Sequence, residues 1–329
     1  MTRVCVGLSL LVFGAMVAAA APGGTWFDGG ELASAAVNLG VAHPTGFPLW
    51  ALLGKAAALL PLGDLGFRIV LLSAALTAAA AGVAGWTAAR LSGRVESAVV
   101  AGLLVPFGPT LFLHGATVEV YALHALSVAA LLAMSAWLAE EGRGRRLPAA
   151  GLVVGLALGG HGELRLLVLP ALGFVLWKRR RDMTLGVFSG AAAMCALGLL
   201  IYAELPVRSA AGAARDWAEP VTWRSFLDHV SAARIRAAFA PRMFNVAHVP
   251  ADLLRYARQA RWDLAIPLIF VFARPRRAAV GLAVAFFVID VAYSVLINPM
   301  GLDDLQNGVA GFTAAAVVAG AVCSTRWLL

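Results

Sequence analysis

The chain has 329 residues, 61% of them hydrophobic and only 13% charged, with a mean hydropathy of +0.83. A soluble domain carries about 45–50% apolar and about 25% charged residues. A water-soluble globule, a disordered chain, a collagen and a disulfide scaffold are therefore all excluded, the three cysteines (Cys5, Cys195 and Cys323) each lying in an apolar run. The net charge of +8 acquires meaning only once it is sorted by side of a membrane, and it does not mark a nucleic-acid binder. What remains is an all-α polytopic membrane protein. Arg outnumbers Lys, which occurs only at 55 and 178, and the chain is rich in Ala and Gly; both point to a GC-rich bacterial genome.

A span needs about 20 apolar residues. In chain order the candidate runs are 4–22, 66–89, 96–113, 118–139, 147–160, 164–177, 183–203, 263–273, 278–297 and 309–323. The first, with Arg3 before it and Ala-rich residues 18–21 at its end, also has the form of a secretory signal; its length favours a retained helix. Residues 46–62 are apolar but hold Pro48, Lys55 and Pro61, and counting them as a span inverts every later loop. They read as an interfacial or re-entrant helix outside the bilayer. The stretch 147–177 is too long for one span, is broken by His161, Glu163 and Arg165, and reads as a hairpin of two short helices.

Parity supports this arrangement. With the N-terminus inside, the cytoplasmic loops and ends collect fourteen of the 26 basic residues, among them Arg90, Arg94, Arg143, Arg145, Arg146, Lys178 through Arg181, Arg274, Arg276, Arg277 and Arg326, against four acids (Glu96, Glu140, Glu141 and Asp182). The short outer loops are nearly free of Lys and Arg, as the positive-inside rule demands. Two outer loops are long: 23–65, with an acidic motif, and 204–262. The chain is thus one membrane domain over 1–329.

The unusual polar residues gather on the outer side, where ionisable groups at membrane level are candidates for function. Asp28 and Glu31, three apart in Phe27-Asp28-Gly29-Gly30-Glu31, can share a helix face and act as general base and acceptor ligand; equally, they fit a capping box. His43-Pro44-Thr45-Gly46-Phe47-Pro48 is a rigid turn that can aim His43, or a simple helix break. Arg68 opens the second span. Glu119 and Tyr121 lie between His114 and His124, and Glu119 near a helix start also suits the helix dipole. His161 and Arg165 can bind an anion, or Glu163 and Arg165 simply neutralise each other. Arg208, Asp216, Trp217 and Glu219 open the long loop, and Asn298, Asp303 and Asp304 mark the last outer turn. Asp290 is a lone acid within the ninth span. No zinc spacing (H-x-x-x-H or C-x-x-C), P-loop, dinucleotide fingerprint or G-x-S-x-G occurs, so no metal site is expected from spacing, and ATPase, dehydrogenase and esterase readings have no support.

Taken in order, these motifs resemble those of bacterial relatives of the transmembrane protein O-mannosyltransferase family. Asp28-Gly29-Gly30-Glu31 is similar to its acidic-Gly-Glu motif, His43 through Pro48 to its His-Pro-x-Gly-x-Pro turn, Glu119-Val120-Tyr121 to its Glu-Val-Tyr motif, and Gly159-Gly160-His161 to its Gly-rich stretch. Leu205-Pro206-Val207-Arg208, Trp217-Ala218-Glu219-Pro220 and Phe226 through Val230 follow in register. The likeness covers roughly 20–235. Family members run longer, and Trp-Gly-Asp-Pro is usual where Trp217-Ala218-Glu219-Pro220 stands.

The resemblance implies a GT-C-like membrane glycosyltransferase of about ten transmembrane helices, with juxtamembrane helices in a long first extracytoplasmic loop. It implies an inner-membrane enzyme with an extracytoplasmic site. A polyprenyl-phosphate-linked sugar, mannose in the family, would be its donor, and an extracytoplasmic hydroxyl its acceptor, with protein Ser/Thr as the family's case. The expected roles are catalysis by Asp28 and Glu31; donor phosphate binding by Arg68, His161, Arg165 and Arg208; and substrate binding by His43, Glu119, Tyr121, Asp216, Trp217 and Glu219. No cofactor is required on this reading, although Asp28 with Glu31 leaves room for a divalent cation. Partners are the lipid donor, the acceptor and the bilayer, without nucleic acid. The alternatives are a non-catalytic polytopic protein, a transporter or a lipid flippase.

Overall fold

A computed structural model describes residues 1–23, 28–140, 142, 144–271, 278–298, 300–303 and 307–322, with backbone alone at 145, 266–271, 278–279 and 303. Phe27, Asp304, Cys323, the basic residues at 143, 274, 276, 277 and 326, and the side chains of Arg145 and Asp303 lie outside this description. The described residues form helices Thr2–Ala19 (α1), Gly29–Asn38 (α2), Pro48–Ala58 (α3), Leu65–Ser92 (α4), Glu96–Phe107 (α5), Pro109–Ala116 (α6), Tyr121–Leu138 (α7), Leu147–Leu158 (α8), Leu164–Arg179 (α9), Leu185–Leu199 (α10), Glu204–Ala210 (α11), Trp223–Val230 (α12), Ala233–Ala238 (α13), Val249–Val271 (α14), Ala278–Ala292 (α15) and Val309–Val322 (α16). Among these residues there is no strand, only one isolated bridge, Val41 to Asp216.

Each apolar run of the sequence is largely helical where it is described. By length and composition five described helices can cross a membrane: α1, α4, α7, Leu185–Ala210 (α10 continued through a 3-10 turn into α11) and Val280–Ile297 (α15 continued by a π turn). The run 96–113 differs from one straight span. It breaks into α5 and α6 at 69°, because Pro106, Gly108 and Pro109 cannot sustain the helical ladder there. Asp263 of α14 holds the new helix start, accepting from the Thr110 backbone N–H at 3.1 Å and from its Oγ1 at 3.0 Å. Counting the bent pair as one gives six spans by this measure. The runs 147–160 and 164–177 form the expected hairpin, α8 and α9.

α4 is the central helix, packed against α1, α5, α7 and α16. Its inward stripe is small: Ala80, Ala81, Ala84 and Ala88 are buried, and a Cβ on Gly85 would lie 2.6 Å from the carbonyl oxygen of Ala98 on α5. Lipid tails give no hydrophobic drive for helix pairing, so small residues that let backbones approach take over that work.

Residues 46–62 hold no helix long enough to span. Pro48 occupies the first turn of the 11-residue α3, where its missing N–H costs nothing. α3 packs on α2 and α4 through the buried Trp50, Ala51 and Gly54. Lys55 caps α2, its Nζ donating to the Val37 carbonyl at 2.7 Å.

The two ends of the bundle differ in chemistry. At one end Arg90 pairs with Glu140, Arg179 Nε donates to the Leu138 carbonyl at 2.6 Å, and Arg146 stacks on Trp137 at 5.1 Å. At the other end lie the starts of α7 and α9, with the His, Glu and Tyr residues singled out in the sequence. α7 has 18 residues, so about 27 Å separates the two.

Candidate functional site

The site is built around Glu31. Asp28 precedes α2 in a helical conformation (φ −78°, ψ −6°) and makes no side-chain cap. A capping side chain needs extended backbone to reach back to the first turn, so the capping-box reading of Asp28 and Glu31 fails. Glu31 is bound from outside its helix instead. Its Oε1 accepts the His43 backbone N–H at 3.0 Å, and its Oε2 lies 2.6 Å from His43 Nδ1. His43 Nε2 in turn lies 3.9 Å from Asp28 Oδ2. The imidazole thus bridges the two carboxylates. Glu31 is partly buried, its side chain 13% exposed, whereas Asp28 is 61% exposed. Burial pulls the His43 pKa down, but the bond to Glu31 and the charges of Glu31, Asp28 and Glu119 outweigh it and raise it above the ordinary value.

The turn after His43 needs its glycine. Gly46 has φ +89°, and a Cβ there would meet Leu205 Cδ1 at 2.8 Å and His229 Nε2 at 3.1 Å. The turn docks on the α8–α9 connection, Thr45 Oγ1 donating to the Gly160 carbonyl at 3.3 Å. Phe47 stacks over His161 at 6.3 Å, and Tyr121 meets the same ring edge-on at 6.0 Å. His161 lies 5.1 Å from His124, ring centre to ring centre. Burial, reinforced by the charges of His124, Arg165 and His43, depresses the His161 pKa strongly, so it is neutral near pH 7. It therefore brings a lone pair to the site and not a fixed positive charge.

The long loop closes over this end. Val41 N–H donates to the Arg215 carbonyl at 2.8 Å and Trp217 N–H to the Val41 carbonyl at 3.2 Å. Arg215 Nε lies 4.0 Å from Glu31. Asp216 accepts from Ser209 Oγ at 2.6 Å, Arg208 pairs with Glu204 at 3.4 Å, and Arg165 donates to the Val230 carbonyl at 2.8 Å and to Tyr202 Oη at 3.3 Å. Exposed Trp217 lines a pocket with Pro44, Arg224, Asp228, His229 and Arg234. His229 is buried, which lowers its pKa to about 4. Glu219 is exposed beside it with φ +44°, following Ala218 at +62°, where a glycine would be unstrained.

All twelve residues expected in the site lie towards this end: Arg68 stands at the start of α4, whose far end carries Arg90 of the Arg-rich group. Arg68 takes no part in the cluster. Its guanidinium donates to the carbonyls of Ala58, Leu62 and Gly63 at 2.8–3.0 Å, closing the α3–α4 turn, so it is engaged as a brace for backbone. Glu119 is buried, and its backbone carbonyl accepts from Trp50 Nε1 at 3.2 Å. Sequence reasoning missed Arg215 as a partner of Glu31, because nothing local marks it, and it gave no role to Arg224 and Arg234. It also missed that His124, His161 and Glu163 come together, each offering a ligand atom within 4.8 Å of the others.

Residues 28–185 match the family described as the Protein O-mannosyl-transferase TMEM260 N-terminal domain. The chain is 32% identical over 216 residues to Protein O-mannosyl-transferase TMEM260 of Mus musculus, an alignment that covers 63% of this chain and 30% of that protein. No solved structure matches the chain. The chain therefore resembles the O-mannosyl-transferase family over the stretch that holds Asp28, Glu31, His43, Glu119, Tyr121, His161 and Arg165, and spans about 30% of the length of the curated relative.

Proposed function

We propose that the chain is a membrane glycosyltransferase that moves a sugar, mannose by likeness to the mouse relative, from a polyprenyl-phosphate donor to a hydroxyl acceptor such as a protein Ser or Thr. The observation that carries this reading is the Asp28–His43–Glu31 arrangement: an exposed carboxylate beside an imidazole whose far nitrogen is fixed by a partly buried carboxylate. That is the form of a general base with its orienting partner. On this reading Asp28 takes the proton of the acceptor hydroxyl as its oxygen attacks the anomeric carbon. The new C–O bond forms on one face while the bond to the lipid phosphate breaks on the other, inverting the centre. His43, held by Glu31, orients Asp28 and steadies its charge.

The departing phosphate gains negative charge and needs fixed cations. Arg165, Arg208 and Arg215 stand around the site, and Arg suits phosphate through its forked donors. Trp217 and the pocket beside Pro44 offer an aromatic wall for a sugar or an acceptor. The apolar helices give a lipid tail its path. A GT-C-like arrangement of ten spans, with the Arg-rich end cytoplasmic and the site extracytoplasmic, agrees with the charge of the loops. An inner-membrane location follows from the same reading.

The test uses purified protein in lipid. Polyprenyl-phosphate sugars are supplied one at a time with a Ser/Thr peptide, and transfer is followed by mass spectrometry. The parent turns over at least one donor, and Asp28→Asn loses at least about 100-fold in rate, the scale of general-base catalysis. Equal turnover by both removes Asp28 as the base. No turnover with any donor by folded parent overturns the enzyme reading in favour of a non-catalytic protein, a transporter or a flippase.

A further inference from the structure

Against the His43–Phe47 turn, through Phe47, lies a second cluster that the proposed transfer step does not use. His124 projects from the first turn of α7. His161 and Glu163 lie in the turn that joins α8 to α9. His124 and Glu163 are almost wholly buried, 2% and 1% exposed, and His161 is partly covered by Phe47, Tyr121 and Tyr293. His124 Nε2 stands 3.3 Å from Glu163 Oε2, and all three residues offer ligand atoms within 4.8 Å of one another. Two ligands at about 2.0–2.1 Å from one tetrahedral ion are about 3.3 Å apart. One pair of the cluster already has that separation, and the third ligand atom lies within 4.8 Å of both.

We propose that His124, His161 and Glu163 bind one divalent transition-metal ion, with zinc the best fit. Two imidazoles and one carboxylate are a borderline-soft set that selects zinc and its first-row neighbours over magnesium or calcium, which take mostly oxygen. Three protein ligands also leave a coordination position vacant, as sites that hold a water or a substrate oxygen do. The surroundings suit a cation. Asp290 lies beside Glu163 and accepts from Tyr256 Oη at 2.6 Å, so a second carboxyl group stands next to the proposed carboxylate ligand in a region with little water to solvate charge. The supports are rigid. His124 is fixed on α7, and the Gly160 carbonyl next to His161 is tied to Thr45 of the catalytic turn. A bound ion would therefore join the His43–Phe47 turn to the helix pair that carries Arg165. The inference stands apart from the glycosyl-transfer reading, since it rests on the donor set alone.

The experiment measures metal and needs no donor or acceptor. Full-length protein in detergent is stripped with a chelator and desalted. Zn²⁺ is then titrated against a competing chromophoric chelator, and bound metal is counted by elemental mass spectrometry. Co²⁺ is added separately, because its visible absorption reports tetrahedral nitrogen and oxygen ligation. The parent binds one ion per chain. Glu163→Gln and His161→Gln each weaken binding by at least about 100-fold, since even outer-shell changes at zinc sites cost about 10–100-fold. Asp28→Asn keeps the ion, which separates this cluster from one formed by Asp28 and Glu31. Melting curves of the stripped variants establish that they fold. Folded parent that takes up no Zn²⁺ or Co²⁺ overturns the proposal and leaves a buried His124–Glu163 ion pair. Binding lost in Asp28→Asn but kept in Glu163→Gln overturns it as well.

Discussion

Glu31 shows how much of a site's logic rests on contacts far apart in sequence. Local spacing gave Asp28 and Glu31 two readings, a helix cap and a catalytic pair. The backbone of Asp28 decides against the cap, and the partner that decides for a site is His43, twelve residues on. The residue types were legible because charged groups stand out in a chain with 13% of them; which of them would touch was not. The His43–Glu31 pair has a pH signature. Its bonds raise the folded-state pKa of His43 above that of the free imidazole. The stabilisation from protonating His43 is therefore complete below about pH 6.5 and is lost as pH rises through the higher folded value. Removing the carboxylate with Glu31→Gln removes that pH-dependent part. The melting temperatures of parent and variant should lie furthest apart near pH 5.5 and converge towards pH 9. A gap constant across that range would show that Glu31 does not control the charge of His43.

At the level of helices, apolar composition marked every described run, but it could not mark which helices approach closely. α8 and α10 form such a pair. A Cβ on Gly151 would run into the Ala191 carbonyl, and one on Gly155 into the Cys195 carbonyl and Gly198. Of α10's own residues only Gly198 is buried, so its attachment depends on this contact of backbones. Gly173 on α9 faces nothing within 4 Å. The same substitution should therefore act with opposite sign at the two places. Gly155→Ala overpacks the contact and destabilises by about 1–3 kcal/mol, while Gly173→Ala gains up to about 1 kcal/mol from helix propensity. Thermal unfolding in one detergent compares them directly. Because α10 leads through a 3-10 turn into the helix that carries Arg208, Gly155→Ala should also lower transfer activity, whereas Gly173→Ala should leave it unchanged. Two variants of equal stability would mean that α8 and α10 are not held by this contact. The bend between α5 and α6 was not legible: 96–113 reads as one span although Pro106 and Pro109 stand in it, and the Asp263 side chain that secures the new helix start comes from α14.

Across the whole molecule the two ends carry different chemistry, and this asymmetry connects the sequence to the proposed reaction. The loops that parity assigns to one side do come together in space: Arg90 with Glu140, and Arg179 with Leu138 and Asp182. The turns assigned to the other side meet around His43 and His161. Loop charge made that division readable along the chain, because orientation is set by short basic loops. The stitching of residue 41 to residues 215–217 was not readable, since it joins two irregular segments with no periodicity to mark them. The lipid-phosphate reaction requires the His43 end to face the extracytoplasmic side, and labelling intact cells tests that orientation. In a background with Cys5, Cys195 and Cys323 replaced by Ser, single cysteines are introduced at Ala211, exposed beside the candidate site, and at Arg181, exposed at the Arg-rich end. A membrane-impermeant maleimide should label Ala211→Cys in intact cells, and Arg181→Cys only after the membrane is opened. The reverse pattern would place the base and its arginines in the cytoplasm, where nucleotide-linked sugars are the available donors, and would rule out the polyprenyl-phosphate reading while leaving the geometry of Asp28, His43 and Glu31 unchanged. Labelling of both positions in intact cells would mean that the two ends are not separated by a bilayer, and the spanning arrangement itself would fall.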